Sequence, residues 1–149
     1  MALLTNKMNL LIVDDEPEIR KTIIRYLSFQ TEMDDIILHE AGSFSEALEK
    51  LESVHPLIIL QDINLPDGNG LQLIRQVKSS YPVIQCVVIT GASDLERVLD
   101  ALSFGATDYL KKPLEMENLK TIVLHARERC ERWGELIHQE YSEATRPQE

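Results

Sequence analysis

Four short apolar runs in this chain end in residues that can do chemistry. Asn9-Leu10-Leu11-Ile12-Val13 runs into Asp14-Asp15, and Leu57-Ile58-Ile59-Leu60-Gln61 runs into Asp62. Val87-Val88-Ile89 meets Thr90, and Tyr109-Leu110-Lys111 meets Lys112-Pro113. In an open parallel sheet the strand carboxyl ends lie along one edge, where ligands bind. Read as such strands, the runs gather three carboxylates, a hydroxyl and an ammonium in one crevice. That set suits a divalent metal and a phosphoryl group.

A carboxylate is a weak nucleophile at neutral pH, but Asp62 can accept a phosphoryl group where neighbouring charge is managed. Asp14, Asp15 and Asp62 left alone would repel one another and raise at least one pKa. Mg²⁺ relieves that repulsion through hard oxygen ligands and neutralises charge on a transferring phosphoryl group. Lys112 offers a point charge to one phosphoryl oxygen and Thr90 a hydroxyl to another, while Pro113 constrains the backbone beside the lysine. Each residue alone has a plain reading. An acidic pair after a strand commonly caps a helix, a threonine at a strand end reflects β-propensity, and a lysine is usually solvated. The coincidence of four strand ends with compatible chemistry carries the functional reading.

The elements that position these groups are legible as alternating strands and helices. Pro17 suits the first turn of a helix running to about Gln30, with Ile19, Ile23, Ile24 and Leu27 at helical spacing. Ile36-Ile37-Leu38 reads as a second strand closed by Ala41-Gly42. Ser43 and Glu46 form a capping box for a helix with Phe44, Ala47, Leu48 and Leu51 inward. The third run is continuously apolar, as strands buried on both faces are. Gly68 and Gly70 precede a helix carrying Leu71, Ile74 and Val77, which Tyr81-Pro82 ends. Ser93 or Asp94 caps the next helix, whose Leu95, Val98, Leu99 and Leu102 are expected inside, with Gly105 near its end. A strand at Asp108 to Lys111 and a last helix from about Met116 complete five strand–helix units. That order predicts a doubly wound α/β sandwich. The last helix keeps a 3-4 spacing through Met116, Leu119, Val123, Ala126, Cys130, Trp133 and Ile137. Its second half, past Arg127, has no sheet left to cover and is expected to pair with another helix, as in a homodimer, or to fray. Ser142 to Glu149 reads as a disordered terminus.

At 149 residues and 17.0 kDa the chain can form one domain with a full core. Its 15 basic and 25 acidic residues give a formal charge of −10, which argues against direct nucleic-acid binding. No apolar stretch approaches the roughly 20 residues that span a bilayer, and Met1 to Met8 lacks a secretory pattern. The expectation is a cytoplasmic protein with protein partners. Cys86 and Cys130 read as buried free thiols of a reducing compartment. His39, His55, His125 and His138 have no zinc-site spacing.

From Met8 to Arg129 the chain resembles the receiver domain of two-component response regulators. Val13-Asp14-Asp15-Glu16-Pro17, Asp62-Ile63-Asn64-Leu65-Pro66-Asp67-Gly68-Asn69-Gly70, Thr90-Gly91-Ala92 and Asp108-Tyr109-Leu110-Lys111-Lys112-Pro113 carry the resemblance. It implies a flavodoxin-like sheet of strand order 2-1-3-4-5, with residues 130–149 a helical extension and tail. It also implies that Asp62 accepts a phosphoryl group from a histidine kinase or phosphotransfer protein. Asp14, Asp15, Asp62 and the backbone carbonyl of Asn64 would hold Mg²⁺. Thr90 and Lys112 would grip the phosphoryl oxygens, and Tyr109 would be the aromatic switch. Phosphorylation would then remodel the surface of the fourth helix, fifth strand and fifth helix for a partner or output domain. Such a domain is no enzyme beyond its own phosphorylation and dephosphorylation.

Two positions depart from the family pattern. Leu57 stands where an acidic residue is frequent, and Gln61 replaces a small or apolar residue; Gln61 should point away from Asp62 and needs a partner if buried. Gly91 is expected to leave its side of the site open. An aspartyl-phosphate phosphatase of the haloacid dehalogenase type would need a second aspartate where Asn64 stands and a threonine where Pro66 stands. A degenerate receiver acting as a phosphorylation-independent binding module is the alternative function.

Overall fold

The computed structural model describes residues 7–91 and 95–144, the side chains of 138 and 140–144 apart. Ser93 and Asp94, read above as helix caps, and the His138 side chain therefore lie outside the described residues. β1 (Met8–Val13) sits between β2 (Ile36–Ala41) and β3 (Ile58–Asp62), and β4 (Gln85–Thr90) and β5 (Asp108–Lys111) extend the sheet beyond β3. The order is 2-1-3-4-5 and every neighbouring pair is parallel. Five helices flank it: α1 (Pro17–Ser28), α2 (Phe44–Val54), α3 (Gly70–Ser80), α4 (Leu95–Ser103) and α5 (Met116–Ala144). The doubly wound, flavodoxin-like sandwich expected from the sequence is the fold. No helix among the described residues is long and apolar enough to cross a membrane.

The continuous apolar runs make sense because each strand feeds two cores. Leu10, Ile12, Ile58, Leu60, Val87 and Ile89 pack with Ile23 and Leu27 of α1 and Leu119, Val123 and Ala126 of α5. Their alternate neighbours Leu11, Val13, Ile59, Cys86 and Val88 pack with α2 and α3 through Ala47, Leu51, Leu73, Ile74 and Val77. Fully burying one such large side chain contributes roughly 1.5–3 kcal/mol. A helix cap contributes about 1 kcal/mol. The two-sided core therefore holds the sheet, and the caps set where helices begin. At α2, Ser43 Oγ accepts the Glu46 N–H at 3.1 Å and Glu46 Oε2 accepts the Gly42 N–H at 3.0 Å. At α3, Asn69 Oδ1 accepts the Leu71 N–H at 2.8 Å.

Register brings the chemical groups to one level. Val13 pairs with Gln61, Asp62 with Ile89, and Thr90 with Lys111. Asp14 and Lys112 are each the next residue along. All four strand ends thus leave the sheet at its carboxyl edge, as a parallel ladder requires.

Five local features differ from the sequence reading. α1 stops at Ser28, short of Gln30, and β2 runs on to Ala41. Asn64–Leu65 and Gly68–Asn69 form a small antiparallel ladder that the glycines alone did not announce. α5 continues through Ala144, past Ser142 where a disordered terminus was expected. The largest correction concerns α4. Leu95, Leu99 and Leu102 are 70%, 54% and 51% exposed, and Val98 is only partly buried; Ala101 is the residue this helix buries. Helical spacing reports an apolar stripe, not the body that covers it, and here the stripe faces outward.

Candidate functional site

Asp14 follows β1 fully buried, and its carboxylate holds the turn ahead of α1. Asp14 Oδ1 accepts the Glu16 N–H at 2.9 Å, while Glu16 at the cap position makes no side-chain cap of its own. Asp14 thus braces the turn ahead of α1, and the plain reading of the acidic pair as a helix cap is not met, because the cap position is Glu16 and no side chain caps the helix. From α1, Arg20 donates to the Asp14 carbonyl at 2.6 Å and to Glu40 Oε1 of β2 at 2.8 Å, which fixes the first loop from behind. No sequence pattern marked Arg20's part, because its contacts cross between elements.

Asp62 ends β3, also buried. Its Oδ1 accepts the Asn64 N–H at 2.9 Å, and its Oδ2 accepts from Lys112 Nζ at 2.9 Å. The following turn is forced close by Gly70: a Cβ there would lie 2.5 Å from the Asp62 carbonyl oxygen and 2.6 Å from that of Ile63. No side chain fits that approach, so α3 can start directly against the loop only with glycine at its first position. Gln61 does point away from Asp62, as expected. It is buried, its Nε2 donates to the Gly70 carbonyl at 2.7 Å, and its Oε1 has no hydrogen-bond partner among the described residues.

Lys112 enters from β5 and joins the two carboxylates. Its backbone N–H donates to the Thr90 carbonyl at 2.8 Å, the peptide to Pro113 is cis, and its side chain is 16% exposed. Nζ stands 2.9 Å from Asp62 Oδ2, 3.1 Å from Asp14 Oδ2 and 4.0 Å from Glu16 Oε1. The Asp14 contact is an ion pair without hydrogen-bond alignment, for Asp14 Oδ2 is buried with no hydrogen-bond partner among the described residues. Burial pushes the Asp14 carboxyl above its usual range, outweighing the Glu16 N–H and the ammonium that favour its charge. Burial draws the Lys112 amine down, but the Asp62 and Asp14 carboxylates outweigh it, so its net shift is upward.

Thr90 is buried at the end of β4. Tyr109, in β5, is half exposed. Gly91 is exposed, with the Lys112 stem running 3.7 Å from where its Cβ would be, so that side is bordered by the lysine and not fully open. The carboxylates of Asp14, Asp15 and Glu16 come within 4.8 Å of one another and can hold a metal ion. Asp62 stands outside that tight group, tied to it by Lys112. Glu16 was not singled out from the sequence. Nor was Arg97 of α4, whose Nη1 donates to Asn64 Oδ1.

The donor set fits a hard divalent cation. It is made of carboxylate oxygens, and one of them is buried and lacks a hydrogen-bond partner. A parallel sheet of order 2-1-3-4-5 that collects acids and a lysine at its carboxyl edge places the molecule among the flavodoxin-like α/β domains. The chain belongs to the response regulator receiver domain family, whose model matches residues 10–124.

Among curated relatives, the DNA-binding transcriptional activator DevR/DosR of Mycobacterium tuberculosis is 34% identical over 70% of this chain and 47% of its own length. The transcriptional regulatory protein MalR of Bacillus subtilis is 38% identical over 76% of this chain and 48% of its own length. The chain thus spans about half the length of these relatives. The signal receiver domain of an HD domain-containing protein from Pseudomonas fluorescens Pf-5 superposes with a TM-score of 0.79 at 25% identity, covering 85% of this chain and 99% of that one. A CheY-like receiver from Methanospirillum hungatei gives 0.76 at 27% identity over 85% and 99%.

Proposed function

We propose that Asp62 accepts a phosphoryl group from a phosphohistidine donor, in a Mg²⁺-dependent reaction that switches the surface of α4, β5 and α5. The observation that carries this reading is the buried Asp62–Lys112–Asp14 arrangement, with one Asp14 oxygen lacking a hydrogen-bond partner. In the transfer an Asp62 carboxylate oxygen forms the new bond to phosphorus as the donor's phosphorus–nitrogen bond breaks, leaving the pair of electrons on the imidazole. Asp14, Asp15, Asp62 and the Asn64 carbonyl would hold Mg²⁺, with Glu16 close enough to assist through its side chain. The cation would neutralise charge on the transferring group.

The chain's own groups do the rest. The Asn64 N–H and Lys112 ammonium orient Asp62 by holding one carboxylate oxygen each. Lys112 is then placed to follow a phosphoryl oxygen, because the product adds about −1.5 to −2 charges beside it. Thr90 donates its hydroxyl to another oxygen, and Tyr109 moves from its exposed position into the space so vacated. Residues 130–149 serve as an extension and tail beyond the receiver, helical as far as Ala144, and a partner or output domain reads the altered surface. The relatives' names as transcriptional regulators support an output of that kind. The free thiols Cys86 and Cys130 suit the cytoplasm, where a kinase would supply the phosphoryl group.

Intact mass after incubation with acetyl phosphate and Mg²⁺ tests the reading. One phosphate adduct is expected in the wild type and none after chelation. No adduct in the wild type with any donor would leave the binding-module alternative, and an adduct of equal yield in Asp62→Asn would overturn Asp62 as the acceptor.

A further inference from the structure

α4 is poorly anchored by apolar contact. Its leucines Leu95, Leu99 and Leu102 face solvent, and Ala101 is the one residue it buries among those described. Elements with so little burial open at low free energy. The first half of the helix holds a polar tie to the crevice. Arg97 Nη1 donates to Asn64 Oδ1, and the Asn64 N–H donates to Asp62 Oδ1 at 2.9 Å. Two hydrogen bonds in series therefore join α4 to one oxygen of the Asp62 carboxylate.

We propose that Arg97 is a positioning residue, a latch that holds Asn64 for Asp62 and fastens the first half of α4 to the same loop. The inference rests on Asp62 being the phosphoacceptor only for its second half, the release. A guanidinium prefers anionic oxygens, which it can meet with two parallel N–H groups, over a neutral amide oxygen. A phosphoryl group on Asp62 adds such oxygens next to Asn64. It draws Arg97 off the amide, and α4 loses this tie to the loop. This link couples Asp62 to α4 without passing through Thr90 or Tyr109.

Amide hydrogen exchange on the full chain tests the latch, with α4 peptides compared against α1 and α5. Without phosphodonor, Arg97→Ala is expected to raise α4 exchange several-fold while α1 and α5 stay at wild-type rates. Asn64→Ala should reproduce that increase, and the double variant should add nothing further, because both changes open the same link. Arg97→Lys, which keeps charge and one donor but not the fork, should restore part of the protection. With acetyl phosphate and Mg²⁺, wild-type α4 exchange should rise, whereas Arg97→Ala should show little further rise.

Unchanged α4 exchange in unphosphorylated Arg97→Ala, or additive effects in the double variant, would overturn the latch. A full phosphorylation-dependent rise retained in Arg97→Ala would overturn the release. If the wild type takes up no phosphoryl group, Asp62 fails as the acceptor, and the arm without phosphodonor still decides the latch.

Discussion

Lys112 stands between two carboxylates that are buried at the edge of the sheet, and its ammonium is what lets both stay there. Asp14 and Asp62 each lie within about one hydrogen-bond length of it, at 3.1 and 2.9 Å. Removing one partner of a fully buried ion pair costs roughly 3–5 kcal/mol. Solvent reaches part of the Lys112 side chain, so Lys112→Ala is expected to cost about 2 kcal/mol at neutral pH. The loss should shrink in mild acid, because Asp14 is already pushed toward its protonated form by burial and then no longer needs a counter-charge. Urea unfolding at the two pH values measures both. At this scale Asp14, Asp62, Thr90 and Lys112 were legible because each directly ends an apolar run. Arg20 and Arg97 were not, since they reach the site from helix faces and only a folded chain brings them to Asp14 and Asn64.

Between elements, the loop after β3 is fastened to α2 by a cap supplied from elsewhere in the chain. Asp67 Oδ1 accepts the Phe44 N–H at 2.7 Å and Oδ2 the Ser45 N–H at 3.1 Å, and Phe44 covers Gly68, where a Cβ would lie 2.8 Å from its ring. The Phe44 and Ser45 amides hold the Asp67 carboxyl below its usual range. A carboxyl lowered on folding contributes stability that is complete above its unfolded pKa and is lost as pH falls through the lower folded value. The stability gap between wild type and Asp67→Ala should therefore be constant near neutrality and close only in acid. A gap independent of pH in urea unfolding would show that the charge has no part.

α4 makes the opposite kind of test. If its leucine stripe faces solvent, Leu99→Gln should change stability by no more than about 0.5 kcal/mol. The buried position that spacing suggested would make it roughly 2–5 kcal/mol. Thermal unfolding decides between them. The helix itself was legible from its period, as β3 was from its unbroken apolar run. The stripe's direction was not, because the same spacing serves a core or an exposed face.

For the molecule as a whole, two cores on either side of one sheet end where α5 leaves the body. Cys130 is still buried, its Sγ 3.5 Å from the Leu57 carbonyl, one turn further along than the sequence suggested. Trp133, Leu136 and Ile137 beyond it are about half exposed. Deleting residues 131–149 should then change stability by less than about 1 kcal/mol, read by circular dichroism, since the described side chains there cover nothing in the core. The fold and the gathering of groups at the carboxyl edge follow from strand order and register, which the alternation of runs already encodes. The proposed function of that gathering turns on a single atom of Asp62 bonding to phosphorus. Borohydride reduction of the acetyl-phosphate-treated protein, followed by peptide mass analysis, reads that bond directly, because an aspartyl phosphate is reduced to homoserine. Homoserine at position 62 in the presence of Mg²⁺, and at no other aspartate, is the predicted result. Homoserine at Asp14 or Asp15 instead, or an unmodified position 62 in protein that carries a phosphate, would contradict the assignment of Asp62 as acceptor.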